Sequence, residues 1–202
     1  ERSLELFENI IMSTGMSTQS EIESSIKYIL KKCKNLCLLH CSSTYPAPVN
    51  TLNLNFIERL KKSYPELLIG YSGHEIEYHV CLIAQAKGAT IFEKHITRNK
   101  SSKGNDHKVS LLKDEMHNLV NMLNDGFKSL GNDEDRVIQP GEKMNRVSLS
   151  KSLSLNEDRS KGEQIKLKDL DFTYGGRGIA PDKYKLLIDK TLIRNKSAGA
   201  GL

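Results

Sequence analysis

Through residue 131, apolar positions fall into short continuous runs that alternate with stretches of helical spacing. Ile10, Ile11 and Met12, closed by Ser13, read as a strand. Thr18 stands three residues before Glu21, the spacing of a capping box. Ile22, Ile26, Ile29, Leu30 and Cys33 then share one helical face. Residues 36–41 predict a second strand; Pro46 and Pro48 break the chain after it, and Ile57, Leu60 and Tyr64 define a helix over 52–64. Residues 67–71 predict a third strand, and 75–87 a helix that buries Ile76, Val80, Ile83 and Ala84 before a C-cap glycine, Gly88. Residues 89–97 predict a fourth strand. Beyond a polar loop with Gly104, Met116, Leu119, Val120, Leu123, Phe127 and Leu130 stay in register along a helix over 111–130.

A strand–helix unit of roughly 30 residues repeated four times predicts an α/β fold with parallel strands. A doubly wound sheet and a TIM barrel both answer to that pattern. No Gly-x-Gly-x-x-Gly follows any of the strands, which weakens the dinucleotide-binding form. What recurs is polar residues at the strand C-termini: Ser13 and Thr14; His40, Cys41, Ser42 and Ser43; Ser72, Gly73 and His74; Glu93, Lys94 and His95. In a barrel those ends form the active-site face. Four units are half a barrel.

The pattern changes after Gly131. Residues 132–145 are polar and carry Pro140 and Gly141, and are expected to be a linker. From Arg146 onward helical periodicity is lost: Leu149, Leu153 and Leu155 alternate with serines and Lys151, and glycine turns follow at Gly162 and over 175–178. Residues 146–202 are expected to form a small β-rich module, too small to stand well alone. Glu1 opens the chain without an initiator methionine and 198–202 end it without a clear stop, so both ends are expected to be cut.

Composition narrows the function classes. The charge of +5 is spread along the chain, which suits anionic small substrates. Aromatics are 6% of residues and form no basic platform, so nucleic-acid binding is not expected. No apolar run approaches the roughly 20 residues of a membrane span. Cys33, Cys37, Cys41 and Cys81 contain no Cys-x-x-Cys pair, so they are expected to be buried free thiols in a cytoplasmic protein.

Glu93 and His95 are two apart in a predicted strand, and so share a face. His74 ends the neighbouring strand, about 4.8 Å away in a sheet. Two imidazoles there can converge on one divalent ion, Mn, Fe, Co or Zn; a lone histidine would read as a satisfied structural residue, and the pairing at neighbouring strand ends beside a carboxylate favours the ion. Asp106 and His107 follow the fourth strand, as substrate-hydroxyl ligands or as an Asx-type loop. Ser43 and Tyr45 lie on a loop stiffened by Pro46 and Pro48, and either reach ligand oxygens or belong to a rigid connector. Ser13, Thr14 and Gly15 precede a helix and could hold a phosphate.

Five stretches in order, 12–16, 40–48, 70–74, 93–97 and 105–111, resemble the N-acetylneuraminate (sialic acid) synthase family. The tail resembles that family's antifreeze-like (SAF, β-clip) domain in Lys151 to Leu153, the Lys161, Gly162, Glu163 turn, and Gly178 to Pro181. The resemblance implies residues 1–131 as the C-terminal half of a (β/α)8 barrel, 132–145 as a linker and 146–202 as an SAF capping domain, whole or truncated. It implies condensation of phosphoenolpyruvate with an N-acetylated hexose in its open-chain form. It implies a divalent metal, Mn or Mg, held by His74 and His95, with Glu93 in the same shell. Ser43 and Tyr45 fall at ligand-contacting positions, and Asp106 at the position that binds sugar hydroxyls. A domain-swapped homodimer is implied, in which the capping domain lends an arginine to the partner's barrel. The family's Arg-Pro-Gly-x-Gly-Ile loop is replaced by residues 174–179, with Tyr174 at the arginine position and Arg177 three residues later as the candidate substitute. The family's Ser-Asp-His is Ser72, Gly73, His74 here, without a carboxylate to orient the histidine. The family's other phosphate-binding lysine and its proton-handling acid belong to the first half-barrel. A second reading is a non-catalytic carbohydrate-binding or assembly protein on the same fold.

Overall fold

The computed structural model describes residues 2–175 and 178–202, which divide into two compact units, 1–132 and 133–202. In the first unit the strands are β1 (Asn9–Ser13), β2 (Asn35–Cys41), β3 (Leu68–Ser72) and β4 (Ile91–Glu93). They form one parallel sheet in sequence order, with Ile11, Cys37 and Leu68 in one row and Met12, Leu38 and Ile69 in the next. The helices are α1 (Arg2–Leu6), α2 (Gln19–Ile29), α3 (Asn55–Ser63), α4 (Val80–Ala86), α5 (Asp106–Val109) and α6 (Lys113–Leu130).

Local chemistry starts α2 where the sequence placed it. The backbone N–H of Thr18 donates to Glu21 Oε2 at 2.7 Å, and Thr18 Oγ1 caps the Glu21 N–H at 3.4 Å, closing the capping box of α2. Ile22 and Ile26 of α2, Ile57 and Leu60 of α3, Val80 and Ala84 of α4, and Leu119 of α6 pack on Leu36, Leu38 and Ile69 of the sheet. Burial differs between the rows: Leu38 and Ile69 are buried, whereas Ile11 and Leu68, flanking the buried Cys37, are 60% and 57% exposed. One face is therefore packed by helices while the other shows apolar side chains. This is the pattern of a curled half-barrel sheet, in accord with a partial TIM barrel.

Two boundaries and one buried face differ from the sequence expectation. β4 pairs only over Ile91–Glu93, because residues 94–97 leave the ladder and Ile96 bridges Leu111 instead. α4 begins at Val80, not at residue 75, because Glu75 turns inward and is fully buried in an ion pair. Ile76 and Ile83, expected on the buried side of that helix, are 51% and 48% exposed.

The second unit holds α7 (Pro140–Leu149) and an antiparallel pair, β5 (Lys151–Leu155) with β6 (Leu170–Tyr174). The span read as a linker thus carries most of a helix, started by Pro140 at its first turn. Leu155, Ile165 and Leu192 make a small core there. Arg159 donates to the buried Asp169 at 2.8 Å, pinning the loop after β5 to the residue before β6. No helix among the described residues is long and apolar enough to cross a membrane.

Candidate active site

Parallel strands in one sheet all end on the same edge, so the polar residues that follow β2, β3 and β4 are gathered there by topology alone. His74, two residues past β3, is buried at 7% exposure. Its Nδ1 lies 3.0 Å from the carbonyl oxygen of Ser42. A carbonyl only accepts, so Nδ1 carries the proton and Nε2 holds the lone pair. The Tyr45 hydroxyl then donates to Nε2 at 2.9 Å. The Tyr45 ring packs on His74 with centroids 4.2 Å apart. The His95 ring lies 5.2 Å from His74 and 6.0 Å from Tyr45. Three rings from the ends of three strands thus converge.

The loop after β1 closes on the same place. Cys41 Sγ sits 3.7 Å from His74 Nδ1 and 3.6 Å from Ser43 Oγ. Gly15 backs onto both: a Cβ there would overlap Ser43 Oγ and come within 3.2 Å of Cys41 Sγ. Partial desolvation raises the Tyr45 phenol above its ordinary range, and the proximity of Cys41, Asp106 and Glu93 adds to the shift.

The individual expectations map as follows. Glu93 is the last residue of β4, exposed, with Ser72 as its strand partner. Asp106 opens α5 and is exposed. His107 is tied by Nδ1 to Thr97 Oγ1 at 2.7 Å. Ser43 and Tyr45 lie on the loop that brings Tyr45 over His74. Thr14 does not offer its hydroxyl to a phosphate, because Oγ1 is buried and donates to the Leu39 carbonyl at 3.0 Å. Cys33, Cys37 and Cys81 are buried free thiols as read from the sequence, whereas Cys41 is half-buried beside His74. Arg177 lies outside the described residues.

Two imidazoles with ring centres 5.2 Å apart can each turn one nitrogen toward a shared cation. His74 is already oriented by a backbone carbonyl on its other nitrogen, the kind of outer contact that fixes a metal-binding tautomer. The donor chemistry therefore fits a divalent ion with two protein nitrogens. Among the described residues no group of three or more His, Cys, Asp or Glu is placed to hold a metal ion.

Sequence reasoning missed one feature beside the site. Lys94 Nζ donates to Glu75 Oε1 at 3.0 Å, and both side chains are buried, at 1% and 0% exposure. Tyr71 donates to Glu75 Oε2 at 2.7 Å. The signal was present as opposite charges one residue beyond His74 and one before His95. Assigning Glu75 to a helix hid it.

The family model described as the NeuB family matches residues 2–135. The N,N'-diacetyllegionaminic acid synthase of Campylobacter jejuni is 35% identical over 193 residues, covering 94% of this chain and 57% of that protein. The pseudaminic acid synthase of the same species is 32% identical over 196 residues, covering 95% of this chain and 55% of the relative. Among solved structures, the N-acetylneuraminic acid (sialic acid) synthetase of Leptospira borgpetersenii, in complex with citrate, matches with a TM-score of 0.62 and 36% identity, over 68% of this chain and 47% of that one. The chain thus spans about half the length of the curated relatives it matches.

Proposed function

The chain belongs to the NeuB family, and from that premise we propose that the protein it forms part of is a phosphoenolpyruvate-dependent synthase. It condenses phosphoenolpyruvate with an N-acetylhexosamine, N-acetylmannosamine or a diacetamido relative, to give a nonulosonic acid and phosphate. The relatives named for legionaminic, pseudaminic and sialic acid synthesis support this class of product. The observation that carries the reading is the convergence of His74, His95 and Tyr45 at the strand ends.

The chemistry joins carbon 3 of phosphoenolpyruvate to the sugar aldehyde carbon. Water adds at carbon 2, and phosphate leaves with C–O cleavage. His74 and His95 would hold a divalent ion, Mn or Mg, which when bound supplies Lewis-acid polarisation of the aldehyde oxygen. The Ser42 carbonyl keeps the His74 proton on Nδ1, so Nε2 stays a donor of electrons. Tyr45 yields Nε2 and turns its hydroxyl to the sugar, together with Ser43. Asp106 accepts hydrogen bonds from sugar hydroxyls, and Glu93 belongs to the shell around the ion and phosphoenolpyruvate.

Residues 146–202 we read as an SAF capping domain, within the separate compact unit 133–202. The antiparallel β5–β6 pair and the small core beneath it support a β-rich module. In a domain-swapped homodimer this module caps the partner's barrel, with Arg177 as the arginine it lends. Four free thiols suit a cytoplasmic protein. The experiment is release of inorganic phosphate from phosphoenolpyruvate by the full-length protein, with a panel of N-acetylated hexoses. Sugar-dependent release is expected; no release with any sugar favours a carbohydrate-binding protein on the same fold.

A further inference from the structure

His74 and His95 both lie past the last rung of the β3–β4 ladder, which ends at Ser72 and Glu93. The final backbone bond between the two segments is Gly73 N–H to Glu93 O at 3.2 Å. Beyond it each histidine is tied to a different part of the chain. The His74 carbonyl accepts from Ala47 N–H at 3.0 Å, and the His95 carbonyl accepts from Leu111 N–H at 2.8 Å. Neither bond fixes one histidine against the other. The next link between the two segments is made by side chains. Lys94 Nζ donates to the Glu75 backbone carbonyl at 3.1 Å and to Glu75 Oε1 at 3.0 Å.

That link is anchored from below. Tyr71 in β3 donates to the second oxygen of Glu75, and burial together with the Glu75 charge raises its phenol so far that it stays a donor. Gly73 makes the space: a Cβ there would stand 2.7 Å from both Glu75 oxygens and from the Tyr71 ring. Tyr71, which holds Glu75, and Phe92, its partner in β4, both pack in the helix-covered core. The pair therefore lies on the helix-packed side of the sheet, away from the exposed Glu93. A desolvated ion pair with its hydrogen bonds made holds a narrow geometry, because any drift leaves a buried charge unpartnered.

We propose that the buried Glu75–Lys94 pair is the positioning device that sets the separation and orientation of His74 and His95. This rests on the metal-binding reading above and extends it to two residues that touch neither ion nor substrate.

The test uses the full-length protein and the variants Glu75→Gln, Lys94→Met, the double variant Glu75→Gln/Lys94→Met, and Lys94→Arg. The double variant removes both charges at nearly constant volume, so it keeps the test open where a single one does not fold. Mn2+ affinity is read from the free-ion electron paramagnetic resonance signal, on protein shown to be folded by circular dichroism. The metal-free readout is the long-range 1H–15N spectrum of the imidazoles, which reports the His74 tautomer. The expected result is a tenfold or greater loss of Mn2+ affinity in each neutralised variant that folds. A mixed His74 tautomer should accompany it, and Lys94→Arg should stay within about threefold of wild type. A role in stability alone lowers the melting temperature but leaves both readouts unchanged, and that result overturns the proposal. If wild type takes up no Mn2+, the metal reading fails, and the tautomer spectrum alone decides: an unchanged His74 tautomer in the neutralised variants overturns the positioning role.

Discussion

The Tyr45 hydroxyl donates to His74 Nε2 at 2.9 Å, so the one lone pair that His74 can offer is already engaged. The opposite nitrogen is committed to the Ser42 carbonyl, and the ring is packed beneath Tyr45. An ion that binds His74 must displace this hydroxyl. Tyr45 is 40% exposed and lies on the loop after β2.

Tyr45→Phe should therefore bind Mn2+ more tightly than wild type. One hydrogen bond is worth about 0.5–1.5 kcal/mol net, which predicts a gain of about two- to tenfold. The same change should raise KM for the sugar, because the hydroxyl released from His74 is the one assigned to the substrate. Titration calorimetry and steady-state kinetics read the two effects separately, and they should move in opposite directions.

Gly73→Ala should destabilise the chain by about 1–3 kcal/mol, the usual cost of inserting a methyl into packed surroundings. The new carbon would meet the Glu75 carboxylate, which cannot swing aside without leaving Lys94 unpaired. Chemical denaturation of the variant measures this. The same geometry accounts for the missing carboxylate at position 73: a side chain there competes with Glu75 for one space.

His40 gives the fold a pH dependence. Burial lowers its pKa below the ordinary imidazole value, outweighing the hydrogen bond to the Leu52 carbonyl that acts the other way. Below about pH 6.5 the unfolded chain takes up a proton that the folded chain resists. Stability from this group is complete above that pH and is lost as pH falls toward the folded pKa. Thermal melts between pH 7.5 and about 5 should show the decline, and His40→Gln should flatten it.

The strand–helix alternation was legible because each period is local: apolar runs for buried parallel strands, 3.6-residue spacing for the helices. Residues at strand ends were legible as a group for the same reason, since parallel topology collects them on one edge. What was not legible depends on three-dimensional partners. Glu75 fits a helix by spacing, but Lys94 and Tyr71 draw it into the interior. Thr14 looked like a phosphate ligand until the Leu39 carbonyl was found to take its hydroxyl. Residues 94–97 continue the fourth strand's run in sequence, yet the partner of Ile96 is Leu111. Cys41 read as a buried thiol, but the edge of the sheet leaves it open beside His74.

The central claim is that His74 and His95 together hold a divalent ion at the strand ends. Calorimetric titration of Mn2+ into the full-length protein, with His74→Ala and His95→Ala alongside, tests it most directly. The account predicts one site per chain in wild type and a loss of at least a hundredfold in affinity in either variant. Affinity unchanged in both variants would contradict it.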